Sequence, residues 1–364
     1  MSDSKGAPIF VVGAPRSGTT LLAAILSTHP EWACGPETQF FPKIGPRGFE
    51  QALSDRNWPE EAVRCLMGLT LSGQSVVDLY GLTEREIGAY LQTRNPSIQA
   101  MLESLTEQFA SRQGKLYWME KTPNHILNLP GIRKLYPKAR IVRIMRDPRD
   151  SALSMCQLPW TSQRYVANCY LWSEWYSESE KFLESDGGCV TIRYEDLVNQ
   201  PEAILRSLCE FLHIEFVPEM LAHEKAPDTV TTNNEPWKDS VRSALSSRSI
   251  GRWKNELSGD ERVFASMLFA PQLREFRYPE PSEAALVLSI PSTDRTFAER
   301  AEKELVESAR KGIVFVGKRD TGRWLGAIWA ENVSISMKRK ILLYAIRSRA
   351  KCLTRKLRQF LKLS

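Results

Sequence analysis

Residues 13–20 read Gly13-Ala-Pro-Arg16-Ser-Gly18-Thr-Thr20, directly after the apolar run Ile9 to Val12 and before the helix-like stretch Leu21 to Leu26. A glycine-containing loop between strand and helix lets backbone N–H groups approach an anion, and the helix N-terminus meets it with positive partial charge. Arg16, Ser17, Gly18, Thr19 and Thr20 are therefore expected to hold a phosphate or a close mimic of one. The loop of nucleotide hydrolases, G-x-x-x-x-G-K-[ST], places a lysine after its second glycine. Here Thr19 stands at that position and the cation sits inside the loop as Arg16, which disfavours ATP with Mg²⁺.

Three more short apolar runs rich in β-branched or aromatic residues follow, Leu116 to Met119, Ile141 to Met145 and Cys189 to Ile192. Helical spacing flanks them, from Ser151 onward and over Pro201 to Leu212, where Ile204, Leu208, Phe211 and Leu212 share a face. Strands alternating with helices predict an α/β fold, a P-loop-type parallel sheet flanked by helices. In such open sheets ligands bind beyond the carboxyl ends of the strands. Polar groups stand there after every run: the loop 13–20, then Glu120-Lys121-Thr122-Pro123, Arg146-Asp147-Pro148-Arg149 and Arg193-Tyr194-Glu195-Asp196.

Residues 41–114 read as helices and loops inserted between the first and second runs. Support comes from the start signal Trp58-Pro59-Glu60, the apolar spacing from Ala62 to Leu69 and the capping box Thr83-x-x-Glu86. Such an insertion forms a lid over the site. Pro279-Glu-Pro-Ser after Tyr278 marks the end of the catalytic body, giving a domain over 1–280 and an extension over 281–364. Within 337–364, Leu342, Ile346, Leu353, Leu357 and Phe360 recur at helical spacing among ten Lys and Arg, the pattern of a basic amphipathic helix. It reads as a surface for an anionic membrane or an acidic partner, or as a helix docked on its own acidic body.

At 364 residues, 42% hydrophobic and 25% charged, the composition excludes a disordered or low-complexity chain. The formal charge of +6 divides unevenly: residues 311–364 carry 14 cations against 2 acids, so residues 1–310 sum to −6. No recognised nucleic-acid module accompanies the basic segment, and nucleic acid is not expected as a partner. Met1 to Pro8 is polar and no run of 18 uncharged apolar residues occurs, which predicts a cytoplasmic protein, peripheral at the inner membrane surface if the basic helix docks there. The seven cysteines are odd in number and scattered, and read as reduced. His29, His125, His213 and His223 show no metal-ligand spacing, so no metal is expected.

The loop Pro-Arg16-Ser-Gly18-Thr-Thr-Leu-Leu resembles the 5′-phosphosulfate loop of sulfotransferases that use 3′-phosphoadenosine 5′-phosphosulfate (PAPS). Three segments extend the resemblance in the family's order: Glu120-Lys121-Thr122-Pro123, Arg146-Asp-Pro-Arg-Asp-Ser-Ala-Leu-Ser154, and Ile250-Gly-Arg-Trp253-Lys254 with Leu257-Ser258. The match runs from about Ile9 to Tyr278. His29-Pro30 and Cys34-Gly35-Pro36-Glu37-Thr38 are similar to the tyrosylprotein and related bacterial branch. That secreted branch carries a membrane anchor and a disulfide through the cysteine matching Cys34, whereas Glu120 stands at the partner position here.

The resemblance implies sulfuryl transfer from PAPS, leaving 3′,5′-ADP, to a hydroxyl or amine of a small-molecule, glycan or lipid-linked acceptor. Such transfer needs alignment and charge stabilisation on the leaving phosphate, for which Arg16, the amides of 17–20 and Lys121 are placed. Glu37, in the loop after the first helix, aligns with the family's catalytic glutamate and is the expected base, with His125 a secondary candidate and His29 read as a capping or packing residue. The plainer alternatives are a solvated loop carboxylate for Glu37 and a surface lysine for Lys121. A donor with a 3′-phosphate demands a second anion site, assigned to Arg146 and Ser154, with Arg242 as a further cation. Tyr194 is expected either to hydrogen-bond nearby or to pack in the core, and Arg252, Trp253 and Lys254 fold over the nucleotide with Trp253 near the adenine. Asp147 reads as a helix cap, Arg149 as an exposed cation or one that supports the site from behind its contacting residues, and the aromatics Trp160, Tyr170, Trp172, Trp175 and Tyr176 as helix packing, with Leu171 and Trp175 on the buried stripe. The competing classes are a P-loop nucleotide kinase or hydrolase and a catalytically silent nucleotide-binding, membrane-docking protein.

Overall fold

A computed structural model of the protein describes residues 6–279 apart from 55, 226 and 227, and omits the side chains of 260, 263 and 267. The expected 281–364 extension, with the basic amphipathic helix read within it, lies outside the described residues.

In chain order the elements are β1 (Ile9–Val12), α1 (Thr19–Ser27), β2 (Trp32–Cys34), α2 (Phe40–Ala52), α3 (Glu60–Met67), β3 (Thr70–Leu71), β4 (Gln74–Ser75), α4 (Val76–Leu79), α5 (Glu84–Gln92) and α6 (Ile98–Arg112). There follow β5 (Tyr117–Glu120), α7 (Leu129–Leu135), β6 (Arg140–Met145), α8 (Pro148–Met155), α9 (Tyr165–Ser185), β7 (Cys189–Arg193), α10 (Tyr194–Asn199) and α11 (Pro201–Leu212). Short helices α12 (Trp253–Glu256), α13 (Gly259–Leu268) and α14 (Ala270–Glu275) close the described chain. None of the described helices is long and apolar enough to cross a membrane.

The chain forms two compact units. The first takes the described residues of Met1–Arg146 and Glu178–Ile250, the second those of Asp147–Ser177 and Gly251–Ser364.

In the first unit five parallel strands pair in the order β2-β5-β1-β6-β7. Ile9, Phe10, Val11 and Val12 are all fully buried, as a central parallel strand covered on both faces requires. One face packs Leu22, Ile25 and Leu26 of α1 with Leu205, Leu208 and Leu212 of α11 against Val11, Val142 and Ile144. On the strand's other side Phe10, Trp118 and Tyr136 form an aromatic trio with centroids 5.6–5.8 Å apart. Because β1 lies between β5 and β6, the loops leaving these three carboxyl ends share one crevice, the switch point of the sheet.

Sequence and structure differ in three places here. Strand β2 was not expected: three residues after His29-Pro30 carry no periodicity, and it forms by pairing Cys34 with Met119 at the sheet edge. The insertion likewise contains the small hairpin β3–β4 among its helices. Strand β5 begins one residue later than its apolar run, leaving Leu116 70% exposed and taking Glu120 into the sheet. The capping box forms as read: Glu86 N–H donates to Thr83 Oγ1 (3.3 Å) and Thr83 N–H to Glu86 Oε2 (2.9 Å).

The second unit is built on Trp172, which is fully buried, stacks on Tyr176 at 5.4 Å and 9°, and meets the edge of Phe269 at 5.1 Å. Leu171 and Trp175 are only half-buried, so the inward stripe of α9 is offset by one residue from the expected one. Trp160 is 53% exposed, more than a helix-packing aromatic would be, a second correction to the aromatic reading.

Candidate active site

The phosphate loop carries the backbone geometry its sequence requires. Gly18 sits at φ 101° and Arg16 at φ 65°. A Cβ at Gly13 would stand 2.7 Å from the Ile144 carbonyl, and one at Gly18 would stand 2.6 Å from Tyr194 Cδ2, so glycine alone fits both positions. Helix α1 starts with no side-chain cap and no acid in its first turn. Its first-turn amides are therefore left for an anion. Thr19 and Thr20 are buried, and Ser17 Oγ is buried with no partner among the described residues. An orphaned hydroxyl at an uncapped helix start is what an oxyanion ligand would satisfy. Arg16 Nη1 donates to the Trp237 carbonyl at 2.9 Å.

Beside this loop lie four buried charges. Lys121, one residue past β5, is fully buried; its Nζ lies 2.9 Å from Glu37 Oε1 and 3.5 Å from Thr20 Oγ1. Lys238 Nζ approaches the same Glu37 oxygen at 2.7 Å and Glu235 Oε1 at 2.6 Å. Glu37 Oε2 accepts from the Gln39 side-chain amide at 2.8 Å. Burial by itself would push the Glu37 carboxyl up; Lys121, then Lys238, outweigh it and hold the group down at about 2. The Lys121 ammonium, which burial alone would discharge, is raised by the Glu37 carboxylate. Lys238 is lowered, first by burial and then by the like charge of Lys121. Neither plainer alternative holds: Glu37 is 7% exposed and Lys121 0%.

Glu37 and Lys121 are each clasped through a neighbour. Glu120 Oε1 accepts from Thr38 Oγ1 (2.7 Å), Thr122 Oγ1 (2.6 Å) and Thr38 N–H (3.4 Å), while its Oε2 lies 2.7 Å from His125 Nδ1. Burial pushes the Glu120 carboxyl up, but His125 and the two hydroxyls outweigh it and lower the group below its ordinary value. Gln39, held at φ 54°, donates its N–H to Thr122 Oγ1 at 3.3 Å. His125 thus partners Glu120 rather than Glu37. His29 accepts the Glu31 N–H at 3.1 Å in the turn after α1, as a packing histidine does. Cys34 is a buried free thiol, pushed up to about 12 by burial.

Arg146, at the end of β6, donates to the Arg16 carbonyl (3.1 Å) and to the Ser249 carbonyl, and lies over the Tyr194 ring at 5.2 Å. Tyr194 OH shares a 2.6 Å hydrogen bond with Ser249 Oγ. The structure therefore gathers Arg16, Gly18, Arg146 and Tyr194 around one loop. Arg242 is ion-paired with Asp228 at 2.9 Å and is partly exposed.

The remaining expected residues belong to the second unit. Ser154 is buried on α8, whose N-cap is Asp147 as read, accepting the Arg149 N–H at 3.0 Å. Of the two readings of Arg149 the exposed one is corrected: the residue is fully buried, with Nε and Nη2 on Asp147 at 2.9 and 2.7 Å and its guanidinium 3.7 Å above the Trp253 ring. A guanidinium can be buried this way because the carboxylate fork and the aromatic face together replace its water. Asp150 accepts the N–H groups of Gly251 (2.6 Å) and Trp253 (2.9 Å), fixing the start of α12. Arg252 pairs with Glu256 at 2.7 Å, and Lys254 Nζ lies 5.8 Å from the Trp253 ring centre.

Sequence reasoning missed Lys238, Glu235 and Gln39. The 3₁₀ turn Pro236–Arg242 that carries Lys238 has no periodicity, and its contact with Glu37 spans 201 positions. The stretch leading into it is anchored by Thr229 Oγ1 on the Cys34 carbonyl at 2.9 Å and by Asn234 Nδ2 on the Ser72 carbonyl at 3.3 Å.

Taken together the cluster offers an anion cradle, cations beside it and a buried ionised carboxylate within 3 Å of one of them, the parts of a group-transfer site with a proton acceptor. Protein-tyrosine sulfotransferase 1 of Danio rerio is 26% identical over 74% of this chain and 72% of its own length. Protein-tyrosine sulfotransferase 2 of Gallus gallus is 28% identical over 74% and 69%. Among solved structures, the sulfotransferase domain of the Synechococcus PCC 7002 olefin synthase shares the fold at TM-score 0.53 and 20% identity, over 75% of this chain and 95% of that one. The domain from the curacin biosynthetic pathway does so at 0.55 and 18%, over 76% and 99%. The model of the sulfotransferase family matches residues 8–218, more than half of the sequence, and the chain belongs to that family.

Proposed function

We propose that the protein transfers the sulfuryl group of PAPS to a hydroxyl or amine, with Glu37 as the base and Lys121 and Arg16 as the cations of the leaving group. The observation that carries this reading is the buried Glu37–Lys121 pair at 2.9 Å, with Lys121 also 3.5 Å from Thr20 Oγ1 at the start of the phosphate-loop helix. PAPS supplies an activated sulfuryl group on a phosphate leaving group. The amides and hydroxyls of 17–20 bind that phosphate. Arg16 neutralises its developing charge, and Lys121 reaches the bridging oxygen. Glu37, ionised far below neutral pH, takes the acceptor proton through a carboxylate that Gln39 orients. Arg146, with Tyr194 beside it, takes the 3′-phosphate, and family resemblance gives Ser154 the same ligand. Arg242 is a further cation for that phosphate. Trp253, Arg252 and Lys254 cover the nucleotide, Trp253 near the adenine.

The acceptor is a small molecule, glycan or lipid-linked hydroxyl or amine. A second reading, a tyrosyl hydroxyl of a protein, is favoured by the protein-tyrosine sulfotransferases among the relatives. Both are tested by offering ³⁵S-labelled PAPS with cell-extract metabolites, glycans and tyrosyl peptides in parallel and following the label. Glu37→Gln should cut turnover by about 10²–10⁴-fold while 3′,5′-ADP still binds; unchanged turnover would remove Glu37 from the mechanism.

A further inference from the structure

We propose that Lys238, anchored by Glu235, is a positioning residue for the base: a fixed cation that holds Glu37 ionised and oriented when Lys121 turns to the leaving group. The inference rests on the reading of Glu37 as base.

Two ammonium groups converge on one carboxylate oxygen, Lys121 Nζ at 2.9 Å and Lys238 Nζ at 2.7 Å from Glu37 Oε1. Their other partners differ, and the difference divides their work. Lys238 is 2.6 Å from Glu235 Oε1, three residues back on the same turn, and its own N–H donates to the Glu235 carbonyl at 2.8 Å. That lysine carries its counter-ion with it. Lys121 instead has Thr20 Oγ1 at 3.5 Å, in the first turn of the helix whose N-terminus faces the anion. Of the two, Lys121 stands between base and phosphate loop.

The quartet of Glu37, Lys121, Lys238 and Glu235 is electrically neutral. An incoming phosphosulfate competes for Lys121, and each step toward it removes a cation from Glu37. In the transfer the acceptor oxygen bonds to sulfur as the bond from sulfur to the phosphate oxygen breaks. The bonding electrons leave with the phosphate, and the acceptor proton passes to Glu37. A carboxylate carrying both ammonium groups is a poor base; losing Lys121 raises its basicity at the step that needs it. Losing both cations in a site this buried would push the group toward the protonated form, which cannot accept the proton. Lys238 prevents that, because Glu235 balances its charge and keeps it in place. The same turn is tied to the loop through Arg16 on the Trp237 carbonyl, so base and cradle are held to one segment.

The test measures consumption of ³⁵S-labelled PAPS with 2-naphthol and a tyrosyl peptide present and water as the default acceptor, so every turnover counts. Lys238→Met should lower kcat about 10²-fold or more while the Kd for 3′,5′-ADP changes less than about threefold. Lys238→Arg should recover turnover to within about tenfold of the parent. In a Glu37→Gln background Lys238→Met should have no further effect on kcat, since it acts through the missing carboxylate. Should Lys238→Met not fold, Lys238→Gln, which keeps a donor without the charge, carries the same prediction. Turnover within threefold of the parent for either neutral variant, with Glu37→Gln inactive, overturns the role of Lys238 and leaves the base in place. An equal loss in both backgrounds, or a parallel loss of 3′,5′-ADP affinity, makes Lys238 a structural brace and also overturns it. Full activity of Glu37→Gln instead refutes the underlying reading.

Discussion

Replacing Glu37 by glutamine gives a stability signature that follows from the charge cluster and needs no knowledge of the acceptor. The carboxyl is held at about 2 in the folded protein against 4.5 for the free side chain. A group whose folded pKa is depressed contributes stability that is complete above its unfolded pKa and is lost as pH falls through the folded one. The gap corresponds to about 3 kcal/mol at pH 7, falling to about 1.4 kcal/mol at pH 3 by the same linkage. Breaking a buried ion pair by removing one partner costs about 3–5 kcal/mol, so the two routes agree. The titratable groups facing Glu37 are Lys121, Lys238, Cys34 and Tyr80, with Glu235 acting on both lysines. Because Glu120, Asp186 and Asp228 are also held below their ordinary values, the parent curve alone mixes several groups. The useful quantity is the difference between parent and Glu37→Gln in urea unfolding at pH 7, 5, 4 and 3. The account predicts a difference of about 3 kcal/mol at pH 7 that shrinks steadily below pH 4.5. Equal stability at pH 7, or a difference that stays constant to pH 3, refutes the reasoning.

Gly18→Ala should lose about 2 kcal/mol in urea unfolding, because φ 101° is a left-handed conformation and the new methyl meets the Tyr194 ring, and calorimetry should record weaker binding of 3′,5′-ADP. Glu120→Gln should cost about 1–3 kcal/mol by weakening the buried hydrogen bonds from Thr38 and Thr122, and should lower turnover more than donor affinity because Thr38, next to Glu37, loses part of its anchor. Trp172→Ala should cost about 3–5 kcal/mol by emptying the core of the second unit, a loss visible as an earlier unfolding transition.

Much of this site is legible in the sequence because parallel sheets collect chemistry at strand ends. Once Ile9 to Val12 and Ile141 to Met145 are read as strands, Arg16 and Arg146 must lie near each other, and Arg146 does donate to the Arg16 carbonyl. Helix α11 begins and ends where Pro201 and the spacing to Leu212 place it. What escaped depends on tertiary pairing. Three residues, Trp32 to Cys34, are a strand only because β5 lies beside them. Lys238 meets Glu37 across 201 positions from a turn with no pattern of its own. Arg149 and Glu120 were misjudged or passed over because a charged residue is ordinarily exposed; Asp147 with Trp253 and His125 with two threonines are what make their burial possible.

The most direct test of the central claim, a PAPS-type donor in the 13–20 loop, is calorimetric titration of the full chain with 3′,5′-ADP and, separately, with ATP and Mg²⁺. The account predicts that 3′,5′-ADP binds tightly, that ATP binds at least tenfold more weakly, and that Arg146→Ala abolishes the preference. Tight ATP binding with indifference to 3′,5′-ADP would contradict it.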